Sequence, residues 1–95
     1  MADPVYRAAP VEALRVERLG ELTAIFDRRS MQTHLVVSPL PEVLEAMSGE
    51  ACNAALLAAR LAASFDLPDA AETRAILGER LRELASLGLV APDEA

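Results

Sequence analysis

Between Val37 and Leu40 the hydrophobic pattern of this chain changes its period, with only Ser38 and Pro39 in between. Gln32 to Val37 is β-branched and alternating, the pattern of a strand. Leu40, Val43, Leu44 and Met47 then fall at i, i+3, i+4 and i+7, the single apolar stripe of a helix. Ser38 is placed to cap that helix and Pro39 to occupy its first position, where a missing N–H costs nothing. A strand is thus welded to a helix almost without a loop, and the chain is best read outward from this junction.

Upstream, Ala13 to Leu19 sets Leu14 and Val16 on one face and Arg15 and Glu17 on the other, the period of a half-buried strand. Gly20-Glu21 follows, with Gly at the first central position, which predicts a two-residue type II′ hairpin and an antiparallel second strand over Leu22 to Asp27. That strand carries Leu22, Ala24 and Phe26 on one face and Thr23, Ile25 and Asp27 on the other. Arg28 to Met31 makes the connection to the third strand, Gln32 to Val37. Residues 1–10, with Pro4 and Pro10 and no helical period, read as an extended lead-in from which Tyr6 docks on the core. Residues 11–92 read as a single domain.

Downstream, Gly49 ends the first helix and Asn53 caps a second, whose Leu56, Leu57, Leu61 and Phe65 form a ridge among alanines before Pro68 closes it. Asp69 followed by Glu72 resembles a capping box for a third helix bearing Ile76, Leu77, Leu81 and Leu84, which Gly88 stops. Leu89 and Val90 are expected to fold back onto the core. Three strands in a meander followed by three helices is an α+β fold.

Composition narrows the function. The 95 residues suffice for one modest core and not for a large cleft. Hydrophobic residues make up 53% of the chain and aromatics 3%, so the core is aliphatic. A net charge of −6 repels a phosphate backbone, which disfavours nucleic acid as a partner. The longest apolar-rich stretch, Ala51 to Leu67, is interrupted by Asn53, Arg60, Ser64 and Asp66, so no membrane span is expected. A lone cysteine, Cys52, and the lack of a basic-then-apolar N-terminus predict a cytoplasmic protein.

Residues capable of chemistry are few. His34 is the single histidine and has no evident partner beyond Asp27 across the hairpin, so it reads as a structural strand residue. One His and one Cys match no metal-ligand spacing, and no glycine-rich loop precedes a helix to cradle a phosphate. Cys52 reads as a small buried hydrophobe. No catalytic residue, metal or cofactor is therefore predicted. Arg74, Gly78 and Arg82 do stand out, because at i, i+4 and i+8 they set two guanidiniums about a residue without a side chain. A glycine inside a helix costs about 1 kcal/mol relative to Ala and either admits a close backbone or is merely tolerated. The third strand also stands out, since the order one-two-three leaves its edge open to a guest strand.

The segments "FDRRSMQTHLVVSPLPEVLEAM" and "LRELASLGLVAP" resemble the PqqD family of peptide chaperones, small domains that recognise the leader segment of a ribosomally made precursor peptide. Thr33-His34-Leu35, then Ser38-Pro39-Leu40 and Val43-Leu44, is similar to the branch associated with an HPr-kinase-related protein in the HPr-rel-A system. The resemblance runs from about Tyr6 to Pro92 and departs at Met31 and Arg28, where such sequences commonly have Gly and Pro. It implies a winged-helix-like domain in which a leader peptide adds as a strand to the third strand and presses apolar side chains beside the third helix. That would make Gln32, Thr33, His34, Leu35, Val36 and Val37, with Arg74, Leu77, Gly78, Leu81 and Arg82, the peptide-binding residues. The implied partners are a precursor peptide and a modifying enzyme or HPr-kinase-related protein. A winged-helix transcriptional regulator and a structural module dimerised through the third-strand edge are the alternative readings. The sequence leaves open which third-strand positions turn their N–H outward.

The regulator reading has a direct test. The third helix interleaves Arg80 and Arg82 with Glu79 and Glu83, so its field nearly cancels, unlike that of a recognition helix. Fluorescence anisotropy with random duplex DNA at moderate salt is expected to show no binding. Micromolar affinity with a steep salt slope would reinstate the regulator.

Overall fold

A computed structural model describes residues 4–63 and 70–93. The elements run β1 (Tyr6–Ala8), a 3-10 turn (Val11–Ala13), β2 (Leu14–Leu19), β3 (Leu22–Asp27), β4 (Gln32–Val37), α1 (Leu40–Met47), β5 (Ala51–Cys52), α2 (Ala54–Ala62), α3 (Ala70–Ser86) and β6 (Val90–Pro92). The fold is α+β: β2, β3 and β4 form an antiparallel meander, and the three helices follow it. Gly20 has φ 68°, as the first central position of a type II′ turn requires, and Leu19 pairs with Leu22 across it.

A second sheet, of order β5-β1-β6, was not expected from the sequence. The lead-in is extended as its prolines imply, yet it lies within the domain: β1 is the central strand, with Tyr6 opposite both Cys52 and Pro92. Two or three residues per strand are too few for a periodic signal, and the pairing joins segments far apart in the sequence. Tyr6, Leu89 and Val90 are buried there.

The core face of the meander is the one bearing Thr23, Ile25 and Asp27, all buried, and not the more apolar Leu22, Ala24 and Phe26. The junction at Ser38 explains the choice. It carries α1 over the face shared by Ile25 and Val36, which meet Val43, Leu44 and Met47 in one cluster with Leu57, Leu77, Leu81 and Leu84. Each such side chain contributes about 1.5–3 kcal/mol when fully buried.

Helix boundaries follow local chemistry with some corrections. Pro39, not Ser38, is the N-cap of α1 and makes no side-chain cap; the Ser38 hydroxyl donates instead to Glu42 Oε2 at 2.6 Å. Ser48 and Gly49 close α1 with φ of 52° and 74°. Asn53 caps α2 as expected, its Oδ1 accepting from the Leu56 N–H at 2.8 Å. Leu57 and Leu61 line the buried side of α2, while Leu56 and, on α3, Ile76 face solvent. Phe65, Pro68 and Asp69 lie outside the described residues. Arg60 secures α2 to α1 by donating to the Ala46 and Met47 carbonyls at 3.1 and 3.3 Å, cations being favoured at a helix C-terminus.

The β3–β4 hairpin is tied to the far end of the chain by one guanidinium. Arg29 donates through Nε to Asp27 Oδ1 at 3.0 Å and through Nη2 to Asp27 Oδ2 at 2.9 Å. The same Nη2 reaches the Gly88 carbonyl at 3.0 Å. Gly88, at φ 78°, closes α3 in a Schellman motif, with Leu89 N–H donating to the Leu84 carbonyl and Gly88 N–H to that of Ala85, each at 3.0 Å.

The hydrogen bonds from Arg29 hold the Asp27 carboxyl below the ordinary aspartate range, against the opposing effect of burial. A depressed carboxyl stabilises the fold above the unfolded value near pH 4 and stops doing so as pH falls through its folded value. Asp27→Asn is expected to cost about 1–3 kcal/mol in urea unfolding at neutral pH. The gap to wild type should stay constant down to about pH 5 and shrink only in stronger acid. A gap that widens on acidification would show that Asp27 is not held ionised.

Candidate functional site

Backbone direction at the sheet edges follows from one hydrogen bond. Arg28 N–H donates to the Ala13 carbonyl at 2.9 Å, so residue 28 of the hairpin faces β2. By alternation Phe26, Ala24 and Leu22 also face β2, while Asp27, Ile25 and Thr23 face β4. Their partners on β4 are Gln32, His34 and Val36. The N–H and C=O groups of Thr33, Leu35 and Val37 therefore point away from the sheet along an edge that no strand among the described residues covers. The uncertainty left by the sequence is resolved in favour of the odd positions.

The side chains of those three residues lie on the outer face of the sheet, opposite α1. Leu35 is 62% exposed and Val37 52%. They continue across the sheet into Ala24 and Leu22, their register partners, and from Leu22 to Leu19. This edge carries no charged residue, and its outer face is an aliphatic surface of the kind that sheets usually cover or interrupt with charge.

The expected site residues divide. Gln32, Thr33, Leu35 and Val37 are exposed, His34 is half-buried, and Val36 is in the core. Leu77 and Leu81, at 5% and 1% exposure, belong to the core and do not line an open groove. Arg74 and Arg82 are exposed on α3. A Cβ built on Gly78 would meet nothing within 4 Å among the described residues, so no backbone among them closes on that glycine. α3 packs chiefly on α2, α1 and β6, whereas β4 packs chiefly on β3 and α1. The strand half and the helix half of the expected site thus share α1 as a neighbour but do not pack chiefly on each other.

His34 lies on the inner face with Asp27 on the neighbouring strand, and its Nε2 is buried without a hydrogen-bond partner among the described residues. Cys52 is 1% exposed, and burial pushes its thiol up. Among the described residues no cluster of three His, Cys, Asp or Glu could hold a metal, and no helix is long and apolar enough to cross a membrane. A feature that sequence reasoning missed is a groove of about 500 Å³ between β2 and α1. Val11, Leu14, Val16, Pro41 and Leu44 line it, and Arg18 bridges to Glu45 at 3.7 Å. Its only sequence signal was the Leu14 and Val16 alternation.

Proline substitution separates the two parities of β4. Leu35→Pro removes an outward donor and should melt within a few degrees of wild type, since edge positions tolerate proline. His34→Pro deletes a donor directed at β3 and should destabilise by about 3 kcal/mol or more. Equal melting temperatures by circular dichroism would refute this assignment of direction. No family model, curated protein or solved structure matches this chain.

Proposed function

We propose that this protein is a non-catalytic peptide-binding module that captures an extended segment of another polypeptide on the free edge of β4. The observation that carries the reading is the outward N–H and C=O ladder of Thr33, Leu35 and Val37 on an edge without charge. A guest strand bonding to that ladder gains sequence-tolerant affinity from backbone hydrogen bonds, and selectivity from the side chains that flank it.

Alternate guest residues would lie beside Leu35 and Val37, on the surface continued by Ala24 and Leu22, where an aliphatic side chain is favoured. The resemblance to PqqD chaperones supplies the identity of the guest in this reading: the leader segment of a ribosomally made precursor, delivered to a modifying enzyme or HPr-kinase-related protein. Arg74 and Arg82 on α3 would favour acidic residues beyond the paired segment, each exposed contact adding up to about 1 kcal/mol.

Selection from a displayed library of random peptides, followed by anisotropy with the labelled winners, tests the proposal without knowledge of the natural guest. Binders with alternating aliphatic residues should emerge, and Leu35→Pro should weaken them about tenfold or more while the fold survives. Failure to select any binder, or binders indifferent to Leu35→Pro, would refute strand addition at this edge.

A further inference from the structure

The opposite edge of the meander has a different chemistry. Since Leu19, Glu17 and Arg15 pair with β3 across hydrogen-bonded positions, the backbone groups of Val16 and Arg18 and the carbonyl of Leu14 point outward on β2, while the Leu14 N–H donates to the Val11 carbonyl in the 3-10 turn. No strand pairs with them among the described residues. Val16 is 54% exposed over the groove beside α1. On the other face Arg15 and Glu17 are exposed, and neither forms an ion pair among the described residues.

We propose that this edge pairs with a second copy of itself, β2 antiparallel to β2 across a two-fold axis at Val16. The register follows from parity and charge. Antiparallel pairing sets outward-facing residues opposite outward-facing ones, so in a two-fold pair some residue must face its own copy. Placing Arg15, Glu17 or Arg18 at the axis opposes like charges, which is destabilising. Placing Leu14 or Leu19 there pairs β2 with the 3-10 turn or with the hairpin, neither of which is a free strand. Val16 remains.

With Val16 at the axis, each Arg15 stands opposite the Glu17 of the other copy, so two ion pairs form by symmetry from residues unpaired in the monomer. Arg15 and Glu17 balance within the paired segment and Glu45 answers Arg18, so in a chain of net charge −6 this is a place where two copies approach with little repulsion. The two Val16 side chains meet beside the joined grooves, and the meanders become a six-stranded sheet ordered β4-β3-β2-β2-β3-β4. Both β4 edges stay free at its ends. The dimer therefore stands independently of peptide capture, and it differs from one formed through the β4 edge.

Sedimentation equilibrium of the full chain with a charge-swap series tests the interface. Wild type should dimerise, and Glu17→Arg and Arg15→Glu should each weaken the dimer about tenfold or more, because symmetry converts two attractions into two repulsions. Combining Arg15→Glu with Glu17→Arg should restore it to within a few-fold of wild type. Val16→Pro, which removes an outward donor, should dissociate it without unfolding the chain. A wild-type monomer at every concentration, a dimer insensitive to the single reversals, or one dissolved by Leu35→Pro but not by Val16→Pro overturns the proposal.

Discussion

In an antiparallel meander the parity of a residue decides two things at once: the face its side chain occupies and the neighbour its backbone addresses. Here that coupling governs most of what the molecule presents to solvent. Once Ile25 and Val36 are turned toward α1, the odd positions of β3 and the even positions of β4 are committed to the core. Leu22, Leu35 and Val37 must then lie outside, although as side chains they are no less hydrophobic than the pair that was buried. The same commitment fixes which backbone groups face outward from the sheet among the described residues: those of Thr33, Leu35 and Val37 at one edge, and those of Val16 and Arg18 with the Leu14 carbonyl at the other.

The two edges differ in how they guard against indiscriminate pairing. Charged side chains along β2 limit its partners to those whose charges answer them, which is a restriction on register as much as on affinity. β4 has no such residues. An uncharged ladder admits many backbones, so discrimination must rest on the aliphatic surface beside it. Peptide capture and self-pairing as proposed would not compete for the same groups, because β3 lies between the two edges.

Fixing parity would mean little if the meander could lift away from the helices. Arg29 opposes this by bonding the buried Asp27 carboxylate and the Gly88 carbonyl together, so that the hairpin tip and the end of α3 are held by one side chain. From Gly88 the chain enters β6, which pairs with β1 and thereby draws in the N-terminal segment. The first and last strands and the hairpin thus share a joint whose members are distant in sequence.

Local chemistry made much of this legible. The alternation of Gln32 to Val37, the Gly20-Glu21 turn, the Asn53 cap and the stop at Gly88 each act over a few residues, so the sequence alone determined the meander, the helix order and the existence of an open third-strand edge. It could not show that Tyr6–Ala8 is a central strand, because three residues have no measurable period and their partners lie at Ala51–Cys52 and Val90–Pro92. Nor could it show that Leu77 and Leu81 are core residues while Leu35 and Val37 are exposed, since apolar character is the same in both places. Which of two apolar faces is buried depends on where α1 lands, and which N–H groups are free depends on the hairpin register. Both are relations between distant segments, and only the tertiary structure decides them.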